Sequence, residues 1–177
     1  MKDTKKLVLI SLLGTLGAII GLFEQMMPLP FMVPGFRLGL SNIVVLVGLI
    51  SFGYKSGFLI SLLKSILLML LSGNVSSFIY SFSGAFLSAT AMIIGLKFGK
   101  NFFSLIGISI LGSSFHNIAQ VAVSAFILNN IMMFSYLSIL LIIGIFTGFF
   151  VGLSSNYISK NLESIINLEN KEWILWK

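Results

Sequence analysis

Long apolar runs separated by short polar turns are the feature that most limits the folds open to this chain. Hydrophobic residues make up 57% of the sequence and charged residues 9%, whereas about 25% of residues are charged in a soluble protein. A membrane-spanning helix needs about 20 apolar residues, so a chain of 177 residues has room for about six spans joined by short turns. The pattern predicts an all-α membrane protein, a bundle of six transmembrane helices without a water-soluble domain.

The turns between the apolar runs set the bounds of the expected spans. We predict spans at about 7–23, 38–52, 58–71, 77–96, 102–128 and 134–157. The tail, 158–177, holds both tryptophans, Trp173 and Trp176, and tryptophan favours the membrane interface. The tail is therefore expected to form a helix on the cytoplasmic surface, although a frayed polar tail remains the alternative.

The distribution of lysines predicts the orientation of these spans. In a six-span topology one side of the membrane receives Lys2, Lys5, Lys6, Lys55, Lys97, Lys100 and Lys160. The loops of the other side carry Glu24 and Arg37 and no lysine. Because lysine and arginine favour the cytoplasmic side, both termini are predicted to be cytoplasmic. The lysines lie in short clusters between apolar runs, so the net charge of +6 is interpreted as this orientation signal and not as a surface for nucleic acid.

The loop after the first span concentrates rigid and charged residues. It contains all three prolines (Pro28, Pro30 and Pro34), the single arginine, Arg37, and Glu24, the only acid outside the two termini. Proline fixes its backbone angle and disfavours helix at the preceding residue, so this loop must interrupt the helical chain. It is either an ordinary connection with a snorkelling arginine or a functional loop, and the fixed charge pair favours the second. We expect Glu24 to orient the guanidinium of Arg37 when the site is empty.

Polar side chains at helical spacing mark the fifth span and indicate a lined cavity. They are Ser109, Ser113, His116, Asn117, Gln120 and Ser124. Residues three and four apart share one face of a helix, and a polar stripe inside a span must face protein or a water-filled cavity. A histidine hydrogen-bonded between helices is the structural alternative. Lys64, near the middle of the third span, either snorkels toward the cytoplasm or has a function, and the sequence leaves both open.

Small residues recur at close spacing on the first span, at Gly14, Gly17, Ala18 and Gly21. Such spacing lets helix backbones approach closely in a membrane. Most pairs of this kind pack a bundle internally, but those on the first span can instead face a partner protein.

The sequence offers few residues for catalysis. The single aspartate is Asp3, which excludes an aspartate-rich site for magnesium and diphosphate. With one histidine and no cysteine, neither a metal site nor an acid–base site is expected, so the chain is predicted to be neither an enzyme nor a carrier of a cofactor.

Four motifs resemble a membrane family known as heptaprenyl diphosphate synthase component I or Gx transporters. They are Glu24 followed by Pro28-Leu-Pro, Pro34-Gly-Phe-Arg-Leu-Gly-Leu-Ser-Asn42, Phe78-Ile-Tyr-Ser-Phe-Ser-Gly84, and His116-Asn-Ile-Ala-Gln120. The resemblance covers nearly all six expected spans. That family is in turn similar to the S components of energy-coupling factor (ECF) transporters, which implies an S-component-like fold in the cytoplasmic membrane of a bacterium.

The resemblance also implies partners and a site. An S component captures a small molecule from outside and joins a transmembrane T component and two ATPase subunits, and its first span would dock the T component through Gly14, Gly17, Ala18 and Gly21. The residues expected to bind substrate are Glu24, Arg37, Asn42, Tyr80, His116, Asn117 and Gln120. Arg37 and His116 suggest an anionic or carbonyl-bearing group on an apolar body, such as a prenyl phosphate, a quinone precursor or a flavin. A non-transporting accessory subunit for quinone or isoprenoid synthesis, or for flavin-based electron transfer, remains the alternative.

Overall fold

The computed structural model describes residues 2–27, 36–99 and 102–166. The prolines of the loop and the last eleven residues of the expected tail lie outside the described residues. In the described ranges the regular structure is helical: α1 (Lys2–Met26), α2 (Asn42–Phe52), α3 (Tyr54–Ser72), α4 (Val75–Phe98), α5 (Leu105–Ile127), a 3₁₀ helix (Ile131–Tyr136) and α6 (Leu137–Ile166). The predicted all-α class is confirmed, and α6 continues without a break past residue 158, where the tail was expected to begin.

Five helical stretches of the described chain are long and apolar enough to cross a membrane. They are Thr4–Met26, Tyr54–Ser72, Val75–Phe98, Leu105–Ile127 and Ile131–Leu162. The second expected span differs, because α2 has 11 residues and is only about 16 Å long. The chain before it, 36–41, is not helical: Gly39 has a φ of 81°, a left-handed conformation that ends regular helix. A short helix preceded by irregular chain therefore takes the place of the continuous helix expected at 38–52, and the count of six spans stays a prediction.

The short helix α2 lies at the centre of the bundle. Ten of its eleven residues are buried, and it packs against α1, α3, α4 and α6. Its apolar side chains form a core with residues from every other α-helix, including Leu13, Ile60, Met92, Ile108 and Val151. Because protein surrounds α2 and the chain before it, irregular backbone can exist at this depth without contact with lipid.

The small residues of α1 bring it close to α3. Gly14 and Gly21 lie against Leu63 and Leu68 of α3, and Gly17 lies against Val44 of α2 and Lys64 of α3. Ala18 is fully buried. These four positions thus serve internal packing.

This packing bears on the docking role that the resemblance assigned to the four small residues of α1. The described structure turns them toward the interior of the bundle. The exposed side of α1 carries larger apolar side chains, among them Leu12, Leu16, Ile19 and Phe23. A partner that approached α1 from outside would therefore meet these large side chains first.

The order of contacts gives the bundle two distinct ends. α1 and α3 run parallel, since Gly14 meets Leu63 and Gly21 meets Leu68, whereas α4 runs antiparallel to α5, since Gly84 meets His116 and Gly95 meets Ile108. The described lysines other than Lys64 consequently lie at one end, which we call the lysine end: Lys2, Lys5, Lys6, Lys55, Lys97 and Lys160. α2 fills the half of the bundle nearer the lysine end, and the 36–41 segment begins the other half, which we call the polar half.

We expect Gly17→Leu to destabilise the bundle. A Cβ atom at Gly17 would lie 2.6 Å from Cγ2 of Val44 and 3.2 Å from Cβ of Lys64, closer than side chains pack. Overpacking of this kind costs about 1–3 kcal/mol. Thermal unfolding in detergent measures the loss, with Thr15→Leu on the exposed side of α1 as the control. Equal stability of the two variants would contradict the internal packing of Gly17.

Candidate functional site

The 36–41 segment enters the polar half of the bundle and is held there by side chains from four helices. The backbone N–H of Arg37 donates to Oε1 of Gln120 on α5, at 3.1 Å. The backbone N–H of Ser41 donates to Oε1 of Glu24 on α1, at 3.2 Å. Phe36 anchors the start of the segment against Val121 and Leu140. The backbone polar groups of an irregular segment need such partners, because burying an N–H or C=O group without a hydrogen bond costs free energy.

Lys64 on α3 does not snorkel, because its side chain ends at the 36–41 segment and at the start of α2. Its side chain is 1% exposed, and its ammonium group donates to Oγ of Ser41 at 2.9 Å and to Oδ1 of Asn42 at 3.0 Å. The side chain therefore reaches inward to the start of α2 and does not extend toward the lysine end. Helical spacing offered a signal, since Ser61, Lys64 and Ser65 share the buried face of α3.

Ser41 connects Glu24 to Lys64. Its backbone donates to the carboxylate and its hydroxyl accepts from the ammonium group, so the two opposite charges stand on either side of one residue. The expectation that Glu24 orients the guanidinium of Arg37 is wrong, because the carboxylate bonds to Ser41 instead. Glu24 lies one helical turn beyond Gly21 and two beyond Gly17, on the buried face of α1.

Arg37 is buried with part of its hydrogen-bonding capacity unused. Its side chain is 4% exposed, and Nη2 donates to the backbone carbonyl of Ser77 at 3.1 Å. Nε and Nη1 have no hydrogen-bond partner among the described residues. An arginine side chain is effectively always protonated in proteins, so the guanidinium carries a positive charge at neutral pH.

His116 and Gln120 form a chain whose proton positions follow from chemistry. A backbone N–H can only donate, so the contact with Arg37 fixes the oxygen of the Gln120 amide toward the 36–41 segment. The amide nitrogen then faces Nε2 of His116 at 3.0 Å, and Nε2 must accept. In the neutral imidazole the proton is consequently on Nδ1, which lies beside Gly84 of α4.

The imidazole of His116 sits between two glycines that make room for it. A Cβ atom at Gly84 would lie 2.6 Å from Cε1 and Nδ1 of the ring, and one at Gly39 would lie 3.1 Å from Cδ2. The ring therefore approaches α4 with its Cε1 and Nδ1 atoms and the 36–41 segment with its Cδ2 and Nε2 atoms. Both glycines belong to motifs that the sequence analysis singled out.

The start of α4 contributes serines that sequence reasoning missed. The backbone carbonyl of Ser77 accepts a hydrogen bond from the guanidinium of Arg37. Its hydroxyl accepts one from the side-chain amide of Gln25, at 3.0 Å. Ser65 donates to Ser81 at 2.9 Å and joins α3 to α4. The spacing of four residues between Ser77 and Ser81 marked one helical face, but serine alone does not distinguish a site from close helix packing.

Two further predicted residues have different positions. Tyr80 is buried, and its hydroxyl accepts from Ser124 of α5 at 3.2 Å, which joins the same helix faces. Asn117 points away from the site, since its amide donates to the carbonyl of Leu140 on α6 at 2.7 Å and packs against Gly144. Adjacent residues of a helix point about 100° apart, so His116 faces α4 and Asn117 faces α6.

The structure therefore brings together five of the seven residues predicted for substrate binding, Glu24, Arg37, Asn42, His116 and Gln120, and adds Lys64, Ser41 and Ser77. Tyr80 lies on the adjoining faces of α4 and α5, and Asn117 is directed elsewhere. The described chain contains no group of three His, Cys, Asp or Glu side chains placed to hold a metal ion. Unpartnered donors outnumber unpartnered acceptors among these residues: the donors are Nε and Nη1 of Arg37, Nδ2 of Asn42 and Nδ1 of His116, and the acceptor is Oε2 of Glu24. This chemistry suits a ligand that brings acceptor atoms and negative charge.

Comparison with known proteins gives a family and a fold. The family model described as heptaprenyl diphosphate synthase component I matches residues 13–158. No curated protein matches the sequence. Among solved structures, the chain described under "Structure and mechanism of the S component of a bacterial ECF transporter" superposes with a TM-score of 0.63. The two chains are 20% identical, and the match covers 93% of this chain and 98% of the other, so this chain is similar to it in fold.

We expect Gly84→Ala to displace the imidazole of His116. The added methyl group cannot fit within 2.6 Å of the ring, so His116 must move and lose its contact with Gln120. Gly95→Ala is the matched control on the same helix, because its Cβ would meet Ile108 at an ordinary 3.4 Å. The control gains up to about 1 kcal/mol of helix propensity. The His116 imidazole resonances in NMR spectra and the melting temperature report the difference, and unchanged resonances in Gly84→Ala would contradict this packing.

Proposed function

This chain belongs to the heptaprenyl diphosphate synthase component I family, and from that premise we propose that it is the substrate-binding subunit of an ECF-type transporter. The fold shared with an ECF S component supports the proposal. The protein then resides in the cytoplasmic membrane of a bacterium, with several apolar helices across the bilayer. It binds a small molecule and passes it on without chemical change, so it is not an enzyme.

The observation that carries the proposal is the buried, incompletely paired guanidinium of Arg37 beside the 36–41 segment. Two of its three nitrogens have no partner among the described residues although the side chain is 4% exposed. Buried polar groups are normally hydrogen-bonded, so a site of this kind fits a bound ligand. In the proposal Arg37 holds the ligand, Asn42 at the start of α2 adds a donor, and His116 with Gln120 fixes the segment that carries Arg37 and leads into Asn42.

The substrate has an anionic or carbonyl-bearing head group and an apolar body. The surplus of unpartnered donors supports the anionic or carbonyl-bearing head group. The apolar cluster of Phe36, Val121 and Leu140 in the same half of the bundle supports the apolar body. Prenyl phosphates, quinone precursors and flavin-related molecules all have this form. Capture takes place from the outer face, and the partners are a T component and two ATPase subunits.

The family description favours a second candidate, a non-transporting accessory subunit in isoprenoid or quinone synthesis, and flavin-based electron transfer is a further accessory role of this kind. Synthesis of a prenyl diphosphate chain needs acidic clusters that hold magnesium, and the whole sequence contains one aspartate and four glutamates. An accessory role consequently needs another protein to supply the reaction. Stable copurification with such an enzyme or a redox protein alone would favour this candidate over transport.

We expect the protein to copurify with a T component and two ATPase subunits when all four are coexpressed. Native mass spectrometry of the complex and of the isolated subunit should find the same retained small molecule. Arg37→Lys should remove that molecule although charge is kept, because an ammonium group cannot replace the planar guanidinium. His116→Ala should weaken retention without unfolding the bundle. Failure to join the transporter subunits, or unchanged retention in both variants, would contradict the proposal.

We expect the polar half to face outward and both termini to be cytoplasmic, as the lysine distribution predicts. The chain has no cysteine, so Met26→Cys at the end of α1 and Lys55→Cys at the start of α3 introduce unique labels at exposed positions. A membrane-impermeant maleimide should label Met26→Cys in intact cells and Lys55→Cys only in inverted vesicles. Labelling of both from one side would overturn the orientation.

A further inference from the structure

The buried charges of the polar half limit the ligand. We infer that the site binds one singly charged oxyanion head group, a carboxylate or a phosphodiester, and does not accept a diphosphate. The inference rests on the proposed function in that the site receives a small molecule, and it narrows the class of that molecule.

Three charged side chains are buried in the described chain: Glu24, Arg37 and Lys64. All three lie at the 36–41 segment or bond to it. Residues 28–35, which connect α1 to this segment, contain no charged side chain in the sequence. The connecting loop therefore adds nothing to the charge of the site.

Glu24 and Lys64 compensate each other through Ser41. Both bond to that one residue, the carboxylate to its N–H at 3.2 Å and the ammonium group to its hydroxyl at 2.9 Å. The net charge of the two side chains is zero when both are ionised. It is also zero when a proton passes from Lys64 to Glu24, because both side chains are then neutral. The net charge of the pair is therefore the same in either state.

Arg37 is then left with a positive charge that no described side chain balances. Its Nε and Nη1 are buried without partners, and Nδ2 of Asn42 is a further unpartnered donor. A charge removed from water needs a counter-charge close by. One negative charge on the ligand would complete the site.

A diphosphate brings at least two negative charges at neutral pH and would leave the site negative by one or more. The unpartnered Oε2 of Glu24 adds to this, since it is buried and, when the carboxyl group is ionised, repels a second oxyanion. The charge of the site thus disagrees with the diphosphate that the family description names. A carboxylate or a phosphodiester carries one charge and at least two acceptor oxygens for the free donors.

Anion-dependent stability tests this inference on the purified full-length protein in detergent. Sodium acetate, sodium dimethyl phosphate and sodium pyrophosphate are compared with sodium chloride at equal ionic strength, with melting temperature as the readout. Acetate or dimethyl phosphate should raise the melting temperature saturably, because a ligand that binds the folded state stabilises it. Which of the two acts more strongly identifies the head group. Arg37→Gln should weaken that binding about tenfold to a hundredfold, the range expected for hydrogen bonds to a charged group.

Variants of the charged residues test whether the response to anions depends on the net charge of the site or on the particular residues Glu24 and Lys64. The double variant Glu24→Gln with Lys64→Met keeps a net charge of +1 and should still respond to acetate or dimethyl phosphate. Lys64→Met alone leaves Glu24 to balance Arg37 and should lose the response, whereas Glu24→Gln alone should gain a response to pyrophosphate. Lys55→Met is the matched control at an exposed lysine and should behave as the parent. Should Lys64→Met fail to fold, the double variant and Glu24→Gln still decide the matter.

Several results overturn the inference. They are an Arg37-dependent response to pyrophosphate that exceeds the responses to acetate and dimethyl phosphate in the parent, no response above chloride to any of the three, or a response unaffected by Arg37→Gln. Because these measurements use the isolated subunit, they are independent of transport. A protein that binds a single charge but never joins ECF subunits would refute the proposed function and leave this inference intact.

Discussion

The structure depends on the burial of one irregular stretch of backbone, the 36–41 segment, inside a bundle of apolar helices. A helix satisfies its own N–H and C=O groups, but this segment cannot, and the interior of a membrane protein supplies no bulk water to take their place. Two of its N–H groups instead donate to Gln120 and Glu24. Its polar side chains are met by Lys64, which donates to the hydroxyl of Ser41, and by the carbonyl of Ser77, which accepts from Arg37. This requirement explains why polar residues far apart in the sequence, on α1, α3, α4 and α5, converge on one place.

The features that hydropathy and charge determine were predictable from the sequence. The all-α class follows from the apolar runs, and the alternation of lysine clusters matches the end at which the described lysines lie. The bounds of the second span were not predictable, because Leu38 and Leu40 are as apolar as the residues of a helix. The irregular conformation comes from Gly39 and from bonds to distant side chains, and a count of apolar residues does not detect either.

The site was predictable in its residue types but only partly in its geometry. Helical spacing placed His116 and Gln120 on one buried face, and the structure has them adjacent. The same spacing could not say that α5 lies between two helices, so it assigned Asn117 to the site although that side chain bonds to α6. The direction of Lys64 stayed undecided for a related reason: a lysine in mid-span can point toward either end of its helix. The acceptors that hold it belong to the 36–41 segment and to the start of α2. The small residues of α1 show the same limit, since their spacing predicts close approach but not the identity of the approaching helix.

The way in which the 36–41 segment is attached has a consequence for motion. Four hydrogen bonds join the segment to α1, α3, α4 and α5, and each of them involves at least one side chain, so none is a backbone bond of a helix. Detaching the segment therefore breaks side-chain contacts while α1 and α3 to α6 keep their internal bonds and their mutual packing. Segments attached in this manner open locally at a lower free energy than the helices around them. A path to the interior can thus form at the polar half while the core around α2 remains closed, so that an opening at one end of the bundle does not by itself create an opening at the other.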